Sequence, residues 1–112
     1  MKQIVLDTSF IISCVKQKID FFEKLSHKEM KILIPIQAIS ELEGLGEKTE
    51  LKILQKNNFE TINVAGKDAD EAIIKISKKE PDAIIATLDA GLKKKIKNKK
   101  MIIRDKKTLE IV

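Results

Sequence analysis

Asp82-Ala83-Ile84-Ile85-Ala86-Thr87-Leu88-Asp89 contains a near-continuous apolar run that ends in polar residues. A run this short, with no alternating polar positions, is typical of a strand covered on both faces, as in a parallel sheet between helices. The segment Gln3-Ile4-Val5-Leu6 has the same character and is followed directly by Asp7. The two segments therefore predict two buried strands of one sheet, each with a carboxylate beyond its end.

The rest of the chain alternates between strand-like and helix-like patterns. Further strands are predicted at Lys31–Ile34, Phe59–Val64 and Met101–Ile103. Helices are predicted over 8–15, 18–27, 36–45, 47–56 and 90–97, and from Lys67-Asp68 onward. In the helix over 36–45, the apolar residues at spacing three are expected to face the core: Ile36, Ile39, Leu42 and Leu45. This order predicts one α/β domain over residues 1–112, with three α/β/α layers and a central parallel sheet of about five strands.

The composition excludes several classes of protein. Cys14 is the only cysteine and His27 the only histidine, so neither an internal disulfide nor a four-ligand zinc site can form. The four glycines form no phosphate loop of the kinds that bind ATP or NAD. No apolar run approaches the ~20 residues that span a bilayer, and the run after Met1 is too short for a secretion signal. We therefore expect a cytoplasmic protein with no membrane partner.

Positive charge is concentrated near the end of the chain. The sequence has 22 Lys and Arg residues against 17 Asp and Glu residues, which gives a net charge of +5. Nine basic residues and one acid lie between Lys93 and Lys107, so this segment carries +8 and the remainder −3. Such a cluster is typical of proteins that bind nucleic-acid phosphates, although a lysine run can also be a solvated helix face. The candidate nucleic-acid-binding residues are Lys93, Lys94, Lys95, Lys97, Lys99 and Lys100.

Four acids are candidates for one site. Asp7 and Asp89 follow buried strands, at the sheet edge where open α/β proteins bind ligands, although each could instead cap the following helix. Glu41 lies beside the apolar face of the helix over 36–45, and Asp70 lies one turn inside a later helix. Four carboxylates in one crevice would repel each other unless a cation offsets their charge. Mg²⁺ or Mn²⁺ would supply that charge and would activate water for attack on a phosphodiester.

Four segments, in this order along the chain, resemble the motifs of the PIN-domain nuclease family. They are VLDTS at 5–9, PIQAISEL at 35–42, ADEAI at 69–73 and ATLDAGLK at 86–93. The resemblance covers nearly the whole chain and implies a parallel sheet wrapped by helices, bound Mg²⁺ or Mn²⁺, and cleavage of RNA. It also implies a catalytic, metal-binding set with two supporting residues: Asp7, Glu41, Asp70 and Asp89, with Thr8 and Thr87 in support.

Within that family, the segment from Ala69 to Lys93 is more similar to the rRNA-processing branch and its small archaeal relatives than to typical VapC toxins. The resemblance thus implies a metal-dependent endoribonuclease with a role in RNA processing. The alternatives are a VapC-type toxin and a catalytically silent module that binds RNA or protein. The implied partners are RNA, a second copy of the chain, and an antitoxin or a ribosome-assembly protein. Ala90 and Gly91 stand where many relatives have another acid, which puts a second metal ion in doubt.

Overall fold

A computed structural model describes residues 1–105 and 107–112 and shows a six-stranded sheet between two layers of helices. The strands are β1 (Lys2–Leu6), β2 (Met30–Pro35), β3 (Glu60–Ile62), β4 (Ile84–Ala86), β5 (Lys100–Arg104) and β6 (Thr108–Ile111). The helices are α1 (Thr8–Lys16), α2 (Phe21–His27), α3 (Ile36–Gly44), α4 (Lys48–Gln55), α5 (Ala69–Lys79) and α6 (Ala90–Lys95). Lys106, part of the predicted basic segment, lies outside the described residues. No helix within those residues has the length and apolarity that a membrane crossing requires.

The strands have the order β3-β2-β1-β4-β5-β6, and β1 to β5 are parallel. The predicted three-layer α/β/α fold with a central parallel sheet is therefore confirmed. β6 is an addition, because it pairs antiparallel with β5 from Arg104↔Thr108 to Met101↔Ile111. The sequence does not predict β6 because this four-residue strand buries only Leu109, which gives no periodic signal.

Successive residues of the central strands enter two different cores. Ile4 and Leu6 of β1 pack in the core that α1 to α4 cover, whereas Val5 packs in the core beneath α5 and α6. All three residues are fully buried. Burial on both faces is the reason that these strand segments consist of continuous apolar residues.

The buried face of α3 differs from the prediction. Ala38 and Leu42 are fully buried, whereas Ile36 and Leu45, which were predicted to face inward, are 38% and 63% exposed. Residues three apart on a helix are separated by ~300°, so four of them turn through ~180° along the run. Only the middle of such a run can remain on the core side.

Cys14 is a packing residue. Its side chain is completely buried in the core under α1, and burial raises the pKa of its thiol to about 12. The thiolate that would act as a nucleophile or metal ligand is therefore strongly disfavoured. Cys14 therefore fills space in this core.

The carboxyl group of Glu50 is buried at the start of α4, although Glu50 is not one of the predicted site residues. Glu50 is 3% exposed and lies in the first turn of that helix. Burial raises the pKa of the Glu50 carboxyl, and the neighbouring Glu47 raises it further, whereas the charge of Lys16 lowers it. The negative charge of Glu50 therefore destabilises the folded protein near neutral pH.

We expect Glu50→Gln to raise the melting temperature near neutral pH, because the amide fills the same space without a charge to desolvate. An acid whose pKa is higher in the folded state costs stability above both its folded and unfolded pKa values, and this cost disappears below them. Thermal unfolding between about pH 8 and about pH 4 should therefore show a gain that shrinks as the pH falls.

The control is Glu43→Gln, which removes the same charge from an exposed position on α3. Equal gains in the two variants would contradict an effect of burial at Glu50.

Candidate active site

The direction of the sheet order changes at β1. From β1 the chain proceeds to β2 and β3 on one side, whereas β4 and β5 lie on the other side. In open α/β sheets, a ligand crevice forms outside the carboxyl ends of the strands at such a switch point. Asp7 follows β1, and its backbone N–H donates to the Ala86 carbonyl of β4 at 2.9 Å. Asp7 and Thr87, the residues directly after these strands, therefore lie side by side at the switch point.

Asp7 is a buried carboxylate that two hydroxyl groups hold in place. It is 3% exposed, and its Oδ2 accepts hydrogen bonds from Thr87 Oγ1 at 2.7 Å and from Ser9 Oγ at 2.9 Å. Burial raises the pKa of the Asp7 carboxyl, and the hydrogen bonds from Thr87 and Ser9 oppose that rise. Asp7 occupies the N-cap position of α1, but its side chain makes no capping hydrogen bond. The capping alternative therefore does not account for this residue.

Asp89 does cap a helix. Its Oδ1 accepts a hydrogen bond from the Leu92 backbone N–H at 3.1 Å, and its own backbone N–H donates to Thr87 Oγ1 at 3.1 Å. A Cβ atom at Gly91 would lie 3.2 Å from Oδ1, so glycine leaves room for the carboxylate. The cap fixes the orientation of an exposed carboxylate at the start of α6, which makes the capping and site interpretations compatible.

Glu41 connects three helices. Its Oε1 accepts a hydrogen bond from Thr8 Oγ1 at 2.8 Å, and its Oε2 accepts one from the Ala69 backbone N–H at 2.8 Å. Thr8 begins α1 and Ala69 begins α5, so the Glu41 side chain on α3 joins the starts of two helices. Hydrogen bonds to a charged acceptor are stronger than neutral ones. This contact brings Asp70, the residue after Ala69, to the carboxyl edge of the sheet.

Asp70 lies among like charges. It is half-buried, and burial raises the pKa of its carboxyl. Four neighbouring carboxylates raise that pKa further by repulsion: Asp7, Asp89, Asp68 and Glu41. The other three predicted acids, and Asp68 as well, therefore lie near enough to Asp70 to repel its charge.

Two further residues lie near these acids and are not among the predicted site residues, namely Ser9 and Asp68. Ser9 Oγ donates to Asp7, accepts from the Leu88 backbone N–H at 3.1 Å and lies 3.4 Å from Thr87 Oγ1. The available signal was its position two residues after an Asp at a helix start, where a hydroxyl often bonds locally. Asp68 caps α5, because its Oδ1 accepts a hydrogen bond from the Glu71 N–H at 3.0 Å.

The predicted nucleic-acid-binding lysines lie at two ends of the sheet. Lys93–Lys95 form the last turn of α6, the helix that starts at the carboxyl edge. Lys97 and Lys99 line a cavity at the amino ends of the strands. Lys100 begins β5, and its Nζ donates to the Ile96 carbonyl at 2.9 Å. The six lysines therefore do not form one patch beside the carboxylates.

The donor chemistry suits a hard divalent cation, because Mg²⁺ and Mn²⁺ prefer carboxylate oxygens. A bound cation would offset the negative charge of the carboxylates that surround Asp70. Among the residues that the structure describes, however, no three Asp, Glu, His or Cys side chains stand in an arrangement that holds a metal ion. Both oxygens of Glu41, for example, accept hydrogen bonds from the protein. The residues thus fit a metal ion by chemistry, and side-chain rotation would have to complete the site.

Comparison with known proteins agrees with this geometry. A family profile described as a PIN-like domain matches residues 4–106. The chain belongs to the PIN-like domain family. In this PIN-domain protein, Asp7, Thr87 and Asp89 lie at the switch point where β1 and β4 end.

Known relatives of this PIN-domain protein include proteins of two kinds. "Ribonuclease VapC4" of Methanocaldococcus jannaschii is 32% identical over 99% of this chain and 97% of its own length. The "rRNA-processing protein fcf1" of Schizosaccharomyces pombe is 33% identical over 84% of this chain, which spans 53% of fcf1. Among solved structures, the PIN domain endonuclease Utp24 superposes with a TM-score of 0.86 at 28% identity, over 97% of this chain and 90% of that one.

We expect Asp70→Asn to stabilise the metal-free protein by a few degrees in melting temperature, because the amide is nearly isosteric and carries no charge to desolvate or for the neighbouring acids to repel. The pKa of Asp70 is raised by folding, so the gain should be present near neutral pH and should be lost as the pH falls. Thermal unfolding in EDTA at about pH 7.5 and about pH 4 measures both effects.

The matched control is Asp82→Asn, an exposed acid at the other end of the sheet. A melting temperature of Asp70→Asn at or below that of the wild type near neutral pH would contradict the expected cost of burying and crowding the Asp70 charge.

Proposed function

We propose that this PIN-domain protein is a metal-dependent endoribonuclease that hydrolyses RNA phosphodiester bonds. The observation that carries the proposal is the group of acids at the carboxyl ends of β1 and β4. Thr87 binds both the Asp7 carboxylate and the Asp89 backbone there, and Glu41 joins the starts of α1 and α5. Two proteins that match nearly the whole chain, the ribonuclease VapC4 and the endonuclease Utp24, support this chemistry. The proposed catalytic and metal-binding residues are Asp7, Glu41, Asp70 and Asp89.

These carboxylates would hold Mg²⁺ or Mn²⁺. When bound, the cation would lower the pKa of a water molecule and would neutralise charge on the phosphate. The surrounding hydroxyl groups have a separate task, since Thr87 and Ser9 orient the Asp7 carboxylate through the hydrogen bonds to Oδ2. Thr8 supports the site indirectly through its hydrogen bond to Glu41.

Lys93–Lys95 are proposed to bind the RNA backbone beside the acids. They lie on the helix that Asp89 caps, so a strand at the carboxylates can extend along them. None of them is in an ion pair with an acid of the described residues, so their charge is available for phosphates. Repulsion between RNA and the acids would otherwise oppose binding.

For the cellular role we propose RNA processing, in line with the name of fcf1. A second candidate is a toxin ribonuclease with an antitoxin partner, and the end-to-end match with VapC4 favours it. Growth after induced expression distinguishes the two roles, because a toxin should arrest growth and its Asp7→Asn variant should not. Cytoplasmic location and homodimer formation stay predictions.

Cleavage of labelled single-stranded RNA in Mn²⁺, Mg²⁺ or EDTA tests the proposal. We expect cleavage only with a metal ion and a loss of at least ~100-fold in Asp7→Asn or Asp89→Asn, because each variant removes a charged ligand. Mn²⁺ should also raise the melting temperature of the wild type and not that of Asp7→Asn.

The charge-matched control for this experiment is Glu23→Gln, which removes an acid from an exposed position on α2 and should cleave as the wild type does. Undiminished cleavage by Asp7→Asn, or cleavage in EDTA, would overturn the proposal. Salt-sensitive RNA binding without any cleavage would indicate the catalytically silent module instead.

A further inference from the structure

A cavity of about 610 Å³ lies at the edge of the sheet opposite the carboxylates. It is formed where β1, β4 and β5 begin, and Lys2, Lys97 and Lys99 are part of its lining. Glu80 and Asp82 also line it, so the three lysines outnumber the acids. Two further lysines, Lys78 and Lys79, lie near the same edge, in the last turn of α5 just before Glu80.

Asn98 fixes the backbone that carries two of these lysines. It is 6% exposed, and its side-chain amide donates to the Glu80 and Ala83 carbonyls, each at 2.9 Å. These bonds hold the segment between α6 and β5 against the turn before β4. Lys97 and Lys99 flank Asn98, so their backbone is ordered while their side chains are exposed. A ligand would therefore bind there without first ordering a loop.

α6 connects this cavity to the acids. The helix begins after Asp89 at the carboxyl edge and ends at Lys95, close to the start of the cavity lining at Lys97. At ~1.5 Å per helical residue and at most ~3.5 Å per extended residue, the path from Ala90 to Lys99 spans roughly 20 Å. Lysines along this path are not paired with acids among the described residues. The path can therefore contact several phosphates of one strand.

The chemistry of the path favours the backbone of a single strand. The chain has no Trp or Tyr, and Phe10, Phe21 and Phe22 are buried in the core, so stacking of bases on aromatic rings is not available there. Lysines bind phosphates as point charges and without regard to sequence. A flexible single strand can also follow α6 from one edge to the other of a molecule that measures 30 × 29 × 26 Å.

We propose that Lys2, Lys97 and Lys99 form a second phosphate-binding site, which holds the flanking part of a single-stranded RNA whose scissile bond lies at the carboxylates. This inference rests on the proposed nuclease function and names its substrate class. The protein would then bind the RNA backbone at two places, the carboxylate site and this cavity, with Lys93–Lys95 of α6 between them.

Fluorescence anisotropy with a labelled, mixed-sequence single-stranded RNA of about twenty nucleotides, in EDTA, tests the second site. We expect Lys97→Ala/Lys99→Ala to weaken binding about tenfold and to reduce the slope of log affinity against log salt by ~1.4, since each single-strand phosphate contact contributes ~0.7. The control pair is Lys52→Ala/Lys56→Ala, which removes the same charge from exposed positions at the end of α4. Equal losses in the two pairs would overturn the proposal, and so would no loss in either.

Metal-dependent cleavage by the same proteins separates this inference from the nuclease proposal. If the wild type cleaves RNA and Lys97→Ala/Lys99→Ala matches the control pair in affinity and salt slope, the second site is wrong and the nuclease proposal remains. If the wild type does not cleave but Lys97→Ala/Lys99→Ala loses salt-dependent binding, the second site is supported and the nuclease proposal fails. Unchanged melting temperatures would show that neither pair acts through unfolding.

Discussion

The pairing of β1 with β4 is the contact on which the rest of the structure depends. Ile4, Val5 and Leu6 pair in parallel with residues 84–86, and the Asp7 N–H extends this pairing by one more hydrogen bond. Both strands are covered by helices on two faces, so polar side chains can reach solvent only at their ends. The pairing therefore brings together two residues that are 80 positions apart in sequence, and Thr87 Oγ1 lies 2.7 Å from Asp7 Oδ2.

The acids at this edge are held together against their own repulsion. Burial and like charges raise the pKa of Asp70, and burial raises that of Asp7. Hydrogen bonds offset part of this cost, since hydroxyl groups of Ser9 and Thr87 bind Asp7, and Glu41 is bound by a hydroxyl and a backbone N–H. A protein retains such an arrangement at the expense of stability, which is typical of sites selected for function. The core beneath α5 and α6, together with the capping hydrogen bonds of Asp68 and Asp89, holds in place the helix starts that carry Asp70 and Asp89.

Much of this molecule could be predicted from the sequence, for identifiable physical reasons. Strands buried on both faces leave short apolar runs, and an acid directly after such a run marks the edge of the sheet. The antiparallel β6 could not be predicted, since its pairing with β5 is a tertiary contact with little local pattern. The exposed positions of Ile36 and Leu45 were also missed, because a spacing of three drifts around the helix. The role of Ser9 depends on the Leu88 N–H, which comes from a distant segment.

The sequence by itself determined the layers and the parallel strands and predicted four acids for one site, because hydrophobic period and residue chemistry are local properties. Only the tertiary structure decided the strand order, which places β4 beside β1 and makes their carboxyl ends one crevice. It also divided a continuous lysine segment between two edges of the sheet, since α6 runs from the carboxyl edge towards the amino edge. Charge counted along a chain gives the amount of positive charge, whereas the path of the backbone decides which phosphates that charge can reach.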